Sequence, residues 1–175
     1  MVYQIMHLFQ RHPITLLLLG MLLSACHKED PTGYDMPVST FAEVVVRKNV
    51  YQIALAQEME LLQHDDNLFT LAAKRKRQSE EFIREISNAT STPENVNNLT
   101  LHEEDKSRIM ELRTLPGADY REGLITLLMD ADQELIALHV KASSSTGVAD
   151  ESIRNWAAGK LPLLKENLNE VQQIK

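Results

Sequence analysis

The longest helical pattern in the sequence is "ADYREGLITLLMDADQELIALHVKA", residues 118–142. Its apolar side chains recur at steps of three, four and seven residues, which is the spacing of one face of an α-helix. A helix of this length needs neighbours to cover its apolar stripe, so the segment predicts a helical bundle. The stripe consists of Tyr120, Leu124, Leu127, Leu128, Ala131, Leu135, Leu138 and Ala142.

Turn residues flank this helix, and a further helix follows it. "LPG" at 115–117 precedes it, and "SSSTG" at 143–147 follows, with Gly147 as a cap or turn. Asp150 is placed to begin the last helix, and Pro162 lies inside that helix. Because proline removes a hydrogen-bond donor, we expect a kink there. The expected inner face is Ile153, Trp156, Ala157, Leu161, Leu164, Leu168 and Val171.

Two earlier segments share the helical period. The first starts near Thr40, with Ser39 or Thr40 as its cap, and it shows two apolar stripes, which suggests packing from two sides. These stripes are Val44, Tyr51, Leu55, Met59 and Leu62, and Val46, Val50, Ile53 and Leu61. "HDDN" at 64–67 begins the second segment, with Asp65 or Asp66 as its cap. Its apolar stripe is interrupted by Arg75 and Ser79.

A polar loop at 87–100 and a shorter helix around 101–114 complete the pattern. No segment alternates with period two, and glycine and proline are sparse beyond Thr40. The sequence therefore predicts an all-α, four-helix-type bundle with a kinked last helix at Pro162.

The beginning of the chain indicates export. Residues 14–23, "ITLLLLGMLL", are apolar, and Ser24, Ala25 and Cys26 follow. Cys26 is the single cysteine of the chain. This order resembles the lipobox of bacterial lipoproteins, in which the signal is cut before the cysteine and acyl chains such as palmitate are attached there. We therefore expect residues 1–25 to be a lipoprotein signal peptide and Cys26 to be the lipidation site.

The remaining chain divides into a tether and a domain. Residues 26–39 contain Pro31, Gly33 and Pro37 and are expected to form a flexible tether, and residues 40–175 the helical domain. "KED" at 28–30 resembles a surface-export signal of bacterial lipoproteins, although a simple polar tether explains it equally. The expected location is the bacterial outer membrane, facing the periplasm or the cell surface.

Charge restricts the class of partner. The first 25 residues hold one of the 18 Lys and Arg and none of the 25 Asp and Glu, so the mature chain has a formal charge of −8. This acidity argues against nucleic-acid binding, which depends on neutralising phosphates. "KRKR" at 74–77 is the one basic run, and we interpret it as a solvated helix face. The expected contacts are the membrane, through lipidated Cys26, and an envelope protein that the sequence does not specify.

Three stretches carry a resemblance to a known family. They are "IRNWAAGKLPLLKENL" at 153–168, "LPGADY" with "LITLLMDADQELIALHVKAS" at 115–143, and more weakly "LAAKRKRQSEEF" at 71–82. The chain resembles the exported bacterial proteins of domain of unknown function 4142 over roughly residues 41–173. The resemblance implies a ferritin-like helical bundle.

The same resemblance implies three histidine positions, and all three differ here. The family typically has Asp-His pairs on its second and third long helices and a His after a Leu-Pro. Ser79, Asp132 (or Ala131 in another register) and Asn167 stand at those positions. Since imidazole is a preferred ligand of transition metals, the implied metal site is incomplete.

The remaining candidates for a metal or proton-handling site are Asp132 and His139. They lie seven residues apart on one helix face and could meet inside the bundle, either as a remnant site or as ordinary buried polar positions. Glu58 and Glu60 are not expected to contribute, because neither lies on the stripe of the first helix. We predict no catalytic residue, cofactor or complete metal site.

Three functions remain open at this level. The sequence favours a non-enzymatic envelope lipoprotein whose bundle serves a structural or interaction role. The first alternative is a ferritin-like metal-binding or redox protein, although fold alone is a weak argument for function. The second is a carrier of a small apolar ligand in the bundle core.

Overall fold

The structure is a computed structural model that describes residues 33–91 and 99–174. The predicted signal peptide, Cys26 and most of the predicted tether lie outside these residues. Tyr34–Lys175 forms one compact unit.

The described residues form five helices and no strand. The helices are α1 (Val38–Leu61), α2 (Asp66–Ala89), α3 (Glu103–Leu112), α4 (Gly117–Ser143) and α5 (Glu151–Ile174). The predicted all-α class is confirmed. α5 remains a single helix through Pro162.

Two of the five helices begin at an aspartate whose side chain caps the first turn. Asp65 caps α2, because its Oδ1 accepts a hydrogen bond from the Leu68 amide at 3.1 Å. Asp150 caps α5, because its Oδ1 accepts a hydrogen bond from the Ile153 amide, also at 3.1 Å. The expectation that Ser39 or Thr40 caps α1 is wrong. The helix begins earlier, at Val38, and its N-cap residue makes no side-chain hydrogen bond.

The four long helices form a bundle with one crossover connection. α1 and α2 pack as an antiparallel hairpin, α4 and α5 form a second, and α1 also packs on α4. α2 and α4 run in the same direction, so the chain between them returns along the bundle and contains α3. Arg108 and Arg113 of this connection bond to Glu134 and Glu58.

The bundle has two distinct ends. At the first, which we call the Tyr34 end, the amides of Asp35 and Met36 donate to the carbonyls of Thr146 and Gly147. Glycine is required at position 147, because a Cβ there would lie 2.3 Å from two backbone oxygens of α4. At the opposite Leu61 end, Tyr120 and Arg121 of α4 bond to Glu58 and Asp65.

Apolar packing is divided into three clusters along the bundle. Tyr51, Leu55, Leu124 and Leu128 centre the cluster toward the Leu61 end. Phe41, Val45, Ala142 and Ile153 centre the cluster toward the Tyr34 end. Phe82, Leu135 and Leu164 form a small cluster of their own.

The buried face of α5 differs from the predicted one. Trp156, Leu161 and Leu168 are only half-buried. The buried positions are Ile153, Ala157, Leu164, Asn167 and Val171. The helix therefore presents an amide to the core at position 167.

None of the five helices is both long enough and apolar enough to cross a membrane. This finding concerns the described residues alone.

Candidate functional site

The three positions identified by the family resemblance come together in the bundle core. Ser79 of α2, Asp132 of α4 and Asn167 of α5 are all buried, and all line one small cavity. Ala131, the alternative in the other register, belongs to an apolar cluster instead. The structure therefore brings the three predicted positions to one place in the core.

Arg75 occupies the centre of this arrangement. Its Nη1 donates to Asp132 Oδ1 at 2.8 Å, and its Nη2 donates to Asp132 Oδ2 at 2.7 Å. Nη2 also donates to the carbonyl of Asn167 at 2.7 Å. The Gln52 amide completes the set by donating to Asp132 Oδ1 at 2.9 Å. Four helices, α1, α2, α4 and α5, thus meet at one ion pair.

Both members of this pair are removed from water. Arg75 is 2% exposed and Asp132 is fully buried. Burial raises the pKa of Asp132 above its ordinary value, while the hydrogen bonds from Arg75 and Gln52 act in the opposite direction. The two-point contact matches the planar guanidinium to the planar carboxylate, which makes it a strong charged hydrogen-bond geometry.

The interpretation of "KRKR" at 74–77 as a solvated face is therefore wrong at two of its residues. Arg75 points into the core, and Lys74 bonds to Glu170 of α5. Arg77 is exposed as expected. The helical period indicates that position 75 faces inward, because it falls between Ala72 and Ser79 on the buried side of α2.

The cavity beside the ion pair is very small. Its volume is about 10 Å³, and it is lined by residues of all four long helices. Several buried polar atoms in or beside the cavity have no hydrogen-bond partner in the part of the chain that the structure describes: Gln52 Oε1, Arg75 Nε, Gln78 Oε1 and Asn167 Oδ1. A volume of this size corresponds to about one water molecule, which would satisfy some of these groups. It is too small for an organic ligand.

His139 lies two turns further along α4 in different surroundings. Its Nδ1 is 2.9 Å from the carbonyl of Leu135, and because a carbonyl only accepts, Nδ1 carries the proton. Its ring contacts Phe41, Phe82 and Trp156 at centroid distances of 5.7, 6.2 and 5.5 Å. Nε2 is buried without a hydrogen-bond partner. His139 and Asp132 thus share the buried face of α4 but have separate sets of partners.

Burial determines the protonation state of His139. It lowers the pKa of the imidazole to about 4, and the charge of Lys160 adds to this effect, while the Leu135 carbonyl opposes it. The side chain is therefore neutral at physiological pH. Trp156, at the edge of this aromatic cluster, donates its Nε1 hydrogen to Glu85 at 2.7 Å.

Glu58 is a buried acidic residue that sequence reasoning missed. It is 2% exposed, and its carboxylate accepts hydrogen bonds from Arg113 and from the Tyr120 hydroxyl at 2.5 and 2.8 Å. The exclusion of Glu58 from the buried face is therefore wrong, whereas Glu60 is exposed. The helical period again indicates an inward position, because Glu58 follows Tyr51 by seven residues, which is about two turns.

Within residues 33–91 and 99–174, no group of three or more His, Cys, Asp or Glu side chains is arranged to hold a metal ion. Comparison of the chain with protein-family models, curated proteins and solved structures finds no match. The most organised polar site of the described residues is therefore the Arg75–Asp132 pair and its neighbours, in which the two charged groups are already paired with each other.

Proposed function

We propose that this chain is a lipid-anchored cell-envelope protein whose helical bundle has a structural or interaction role. Cys26 is the lipidated residue, and it holds the protein at the outer membrane. It precedes Tyr34 by eight positions, so the chain from the anchor enters the domain at the Tyr34 end. The bundle then extends away from that end along α1.

The observation that carries the interaction role is the placement of exposed apolar side chains. Leu61, Phe69, Met110 and Leu115 are 65%, 49%, 66% and 40% exposed. All four lie toward the Leu61 end, in the last turns of α1 and α3, the first turn of α2 and the turn before α4. Since α1 has 24 residues and spans about 36 Å, this end is remote from Tyr34. Contiguous exposed apolar patches are typical of protein interfaces, and these four side chains lie at the same end of the bundle.

The arrangement around Arg75 disfavours the alternative of a metal-binding or redox protein. A guanidinium already neutralises Asp132 from a buried position. Two like unit charges 4 Å apart repel by about 4 kcal/mol at the effective dielectric constant of a protein, and a divalent ion doubles this cost. A metal ion at this place would therefore have to displace Arg75 from its partner.

We also propose that the fold is ferritin-like and related to domain of unknown function 4142. Two observations support this relationship. The bundle has a single long crossover between α2 and α4, and ferritin-like bundles have one such connection. The three positions that the resemblance identifies, Ser79, Asp132 and Asn167, share one cavity. On this proposal, the Arg75–Asp132 pair stands where relatives would hold a metal.

Membrane fractionation combined with site-specific crosslinking tests the function. A photo-crosslinking amino acid at Met110 is expected to give a discrete protein adduct in the native envelope, which Phe69→Glu weakens. The matched control is the same crosslinker at Val140, which is also exposed but lies in the last turn of α4. Cys26→Ser is expected to release the protein from membranes. Equal adducts at Met110 and Val140, or a Cys26→Ser protein that stays with membranes after a high-salt wash, would contradict the proposal.

A further inference from the structure

A groove on the side of the bundle is unrelated to the polar core. It lies toward the Tyr34 end, between the first half of α1, the last turns of α2 and residues 99–102. Its volume is about 560 Å³, which is within the range of small-molecule sites. Its floor is apolar and consists of Ala42, Val46, Val50, Ile86 and Leu99. Val46 and Val50 belong to the second apolar stripe of α1, so this groove lies along part of that stripe.

Within residues 33–91 and 99–174, two polar side chains in the groove have no hydrogen-bond partner for one of their atoms. Ser87 is 4% exposed, and its hydroxyl oxygen is buried without a hydrogen-bond partner. Arg47 is half-buried, and its Nε is also buried and unpaired. Burying such groups without a partner is unfavourable, whereas a bound acceptor would satisfy them. A deep hydroxyl and an uncommitted guanidinium above an apolar floor are the elements of a site for an amphipathic ligand.

The charges around the groove favour a single negative charge on that ligand. Glu43 and His102 also line it, but both are exposed, so water screens them. The first turn of α1 and the last turn of α2 both border the groove, and their opposite partial charges offset each other. The half-buried Arg47 therefore favours a negative charge on the ligand, while Glu43 disfavours a second negative charge.

We propose that this groove binds a small monocarboxylate with an apolar chain. The chain lies on the floor formed by Val46, Val50 and Ile86, and the carboxylate accepts hydrogen bonds from Arg47. The Ser87 hydroxyl is a second donor in the same cavity. This site differs from a carrier site in the bundle core, where the cavity holds only about 10 Å³.

Photoaffinity labelling of the full chain in its native membrane tests the inference, because it maps the site as well as the binding. The probe is octanoate with a diazirine on its alkyl chain. It is expected to label the floor residues saturably, with competition by octanoate and none by octylamine. Arg47→Gln is expected to reduce labelling about tenfold, since a charged hydrogen bond is lost. The matched control is Arg84→Gln, an exposed arginine of α2, which is expected to label normally.

A second variant keeps the test decisive if Arg47→Gln does not fold. Val46→Phe leaves Arg47 in place and fills part of the floor, so it is also expected to reduce labelling strongly. The proposal is overturned if label falls outside the groove, if octylamine competes as well as octanoate, or if Arg47→Gln and Arg84→Gln label alike. Unchanged labelling of a folded Val46→Phe protein would overturn it equally.

Discussion

Arg75 of α2 and Asp132 of α4 form a two-point ion pair in the bundle core, although 57 positions separate them in the chain. The two helices do not share a hairpin, so this pair joins the first half of the bundle to the second. Gln52 and Asn167 bring the remaining two long helices to the same point. The pair thus lies where faces of all four long helices meet.

Breaking this pair is expected to destabilise the fold strongly. Arg75→Met leaves the Asp132 carboxylate buried without its cation, which costs about 3 to 5 kcal/mol in the free energy of unfolding. Urea unfolding followed by circular dichroism measures the effect. Arg77→Met, an exposed arginine on the same helix, is expected to stay within about 0.5 kcal/mol of the parent.

A double substitution distinguishes a buried charge from simple loss of packing. Arg75→Met combined with Asp132→Leu removes both charges and is expected to recover most of the stability, because a buried ion pair can be replaced by apolar side chains. A double variant as unstable as the sum of the two single variants would contradict this account.

His139 is expected to make stability depend on pH in a defined window. Its pKa is about 4 in the folded chain and 6.5 in the unfolded chain, so the unfolded chain binds the proton first as pH falls. The stabilising effect is complete above pH 6.5 and is lost between about pH 6.5 and 4, by about 3 kcal/mol. Urea unfolding at a series of pH values measures this slope. His139→Leu is expected to flatten it, whereas His64→Leu, an exposed histidine, is expected to leave it unchanged.

Glu58 and Glu60 are a matched pair for testing the buried carboxylate. Glu58→Ala removes the acceptor of Arg113 and Tyr120, and we expect a loss of about 1 to 2 kcal/mol, since Arg113 itself remains largely exposed. Glu60→Ala is expected to change the free energy of unfolding by less than about 0.5 kcal/mol. Equal free energies of unfolding for the two variants in urea would show that the buried carboxylate of Glu58 does not stabilise the fold.

Trp156 is expected to contribute through both its ring and its indole hydrogen. Trp156→Ala removes the contacts with Phe41 and Phe82 and should cost about 2 kcal/mol, less than a fully buried tryptophan. Trp156→Phe keeps an aromatic ring, loses only the bond to Glu85, and should cost about 1 kcal/mol. Thermal unfolding by circular dichroism ranks the two, with Asn155→Ala, an exposed neighbour, as the control. A Trp156→Phe protein as unstable as Trp156→Ala would contradict this division.

Metal retention is expected to be low. Purified protein incubated with iron, zinc, manganese or copper and then desalted should retain well below one equivalent, because Arg75 neutralises the one buried carboxylate at the predicted positions. Elemental analysis measures the result. Stoichiometric retention of one metal that is lost in both Asp132→Ala and His139→Ala would overturn the structural role of the core and favour the metal-binding alternative.

Local signals predicted most of the helical architecture. The apolar period of residues 118–142 corresponds to α4, and Asp65 and Asp150 cap helices as expected. These signals act within a few residues, because a helix bonds i to i+4 and a cap bonds to the next turn. The start of α1 was missed because Pro37, which offers no side-chain acceptor, is its N-cap residue.

The buried charged residues were harder to predict, because burying a charge depends on the desolvation energy and not on the helical pattern alone. Arg75 and Glu58 both lie at inward helical phases, yet a charge is buried only where a partner compensates its desolvation. Their partners, Asp132 and Arg113, are each more than 50 positions away. Helical phase places such a residue on an inward face, but the local sequence does not show whether a partner is present to compensate its charge.

Local sequence signals predict that the described chain is helical, roughly where its helices lie and which faces are apolar, because these properties depend on neighbours within one or two turns. The packing of the helices, in contrast, pairs Arg75 with Asp132, surrounds His139 with three aromatic rings, and brings Arg47 and Ser87 to one groove. Each of these depends on which helices pack together and in which register. That choice is made by the summed burial and pairing of all the helices, and no single segment encodes it.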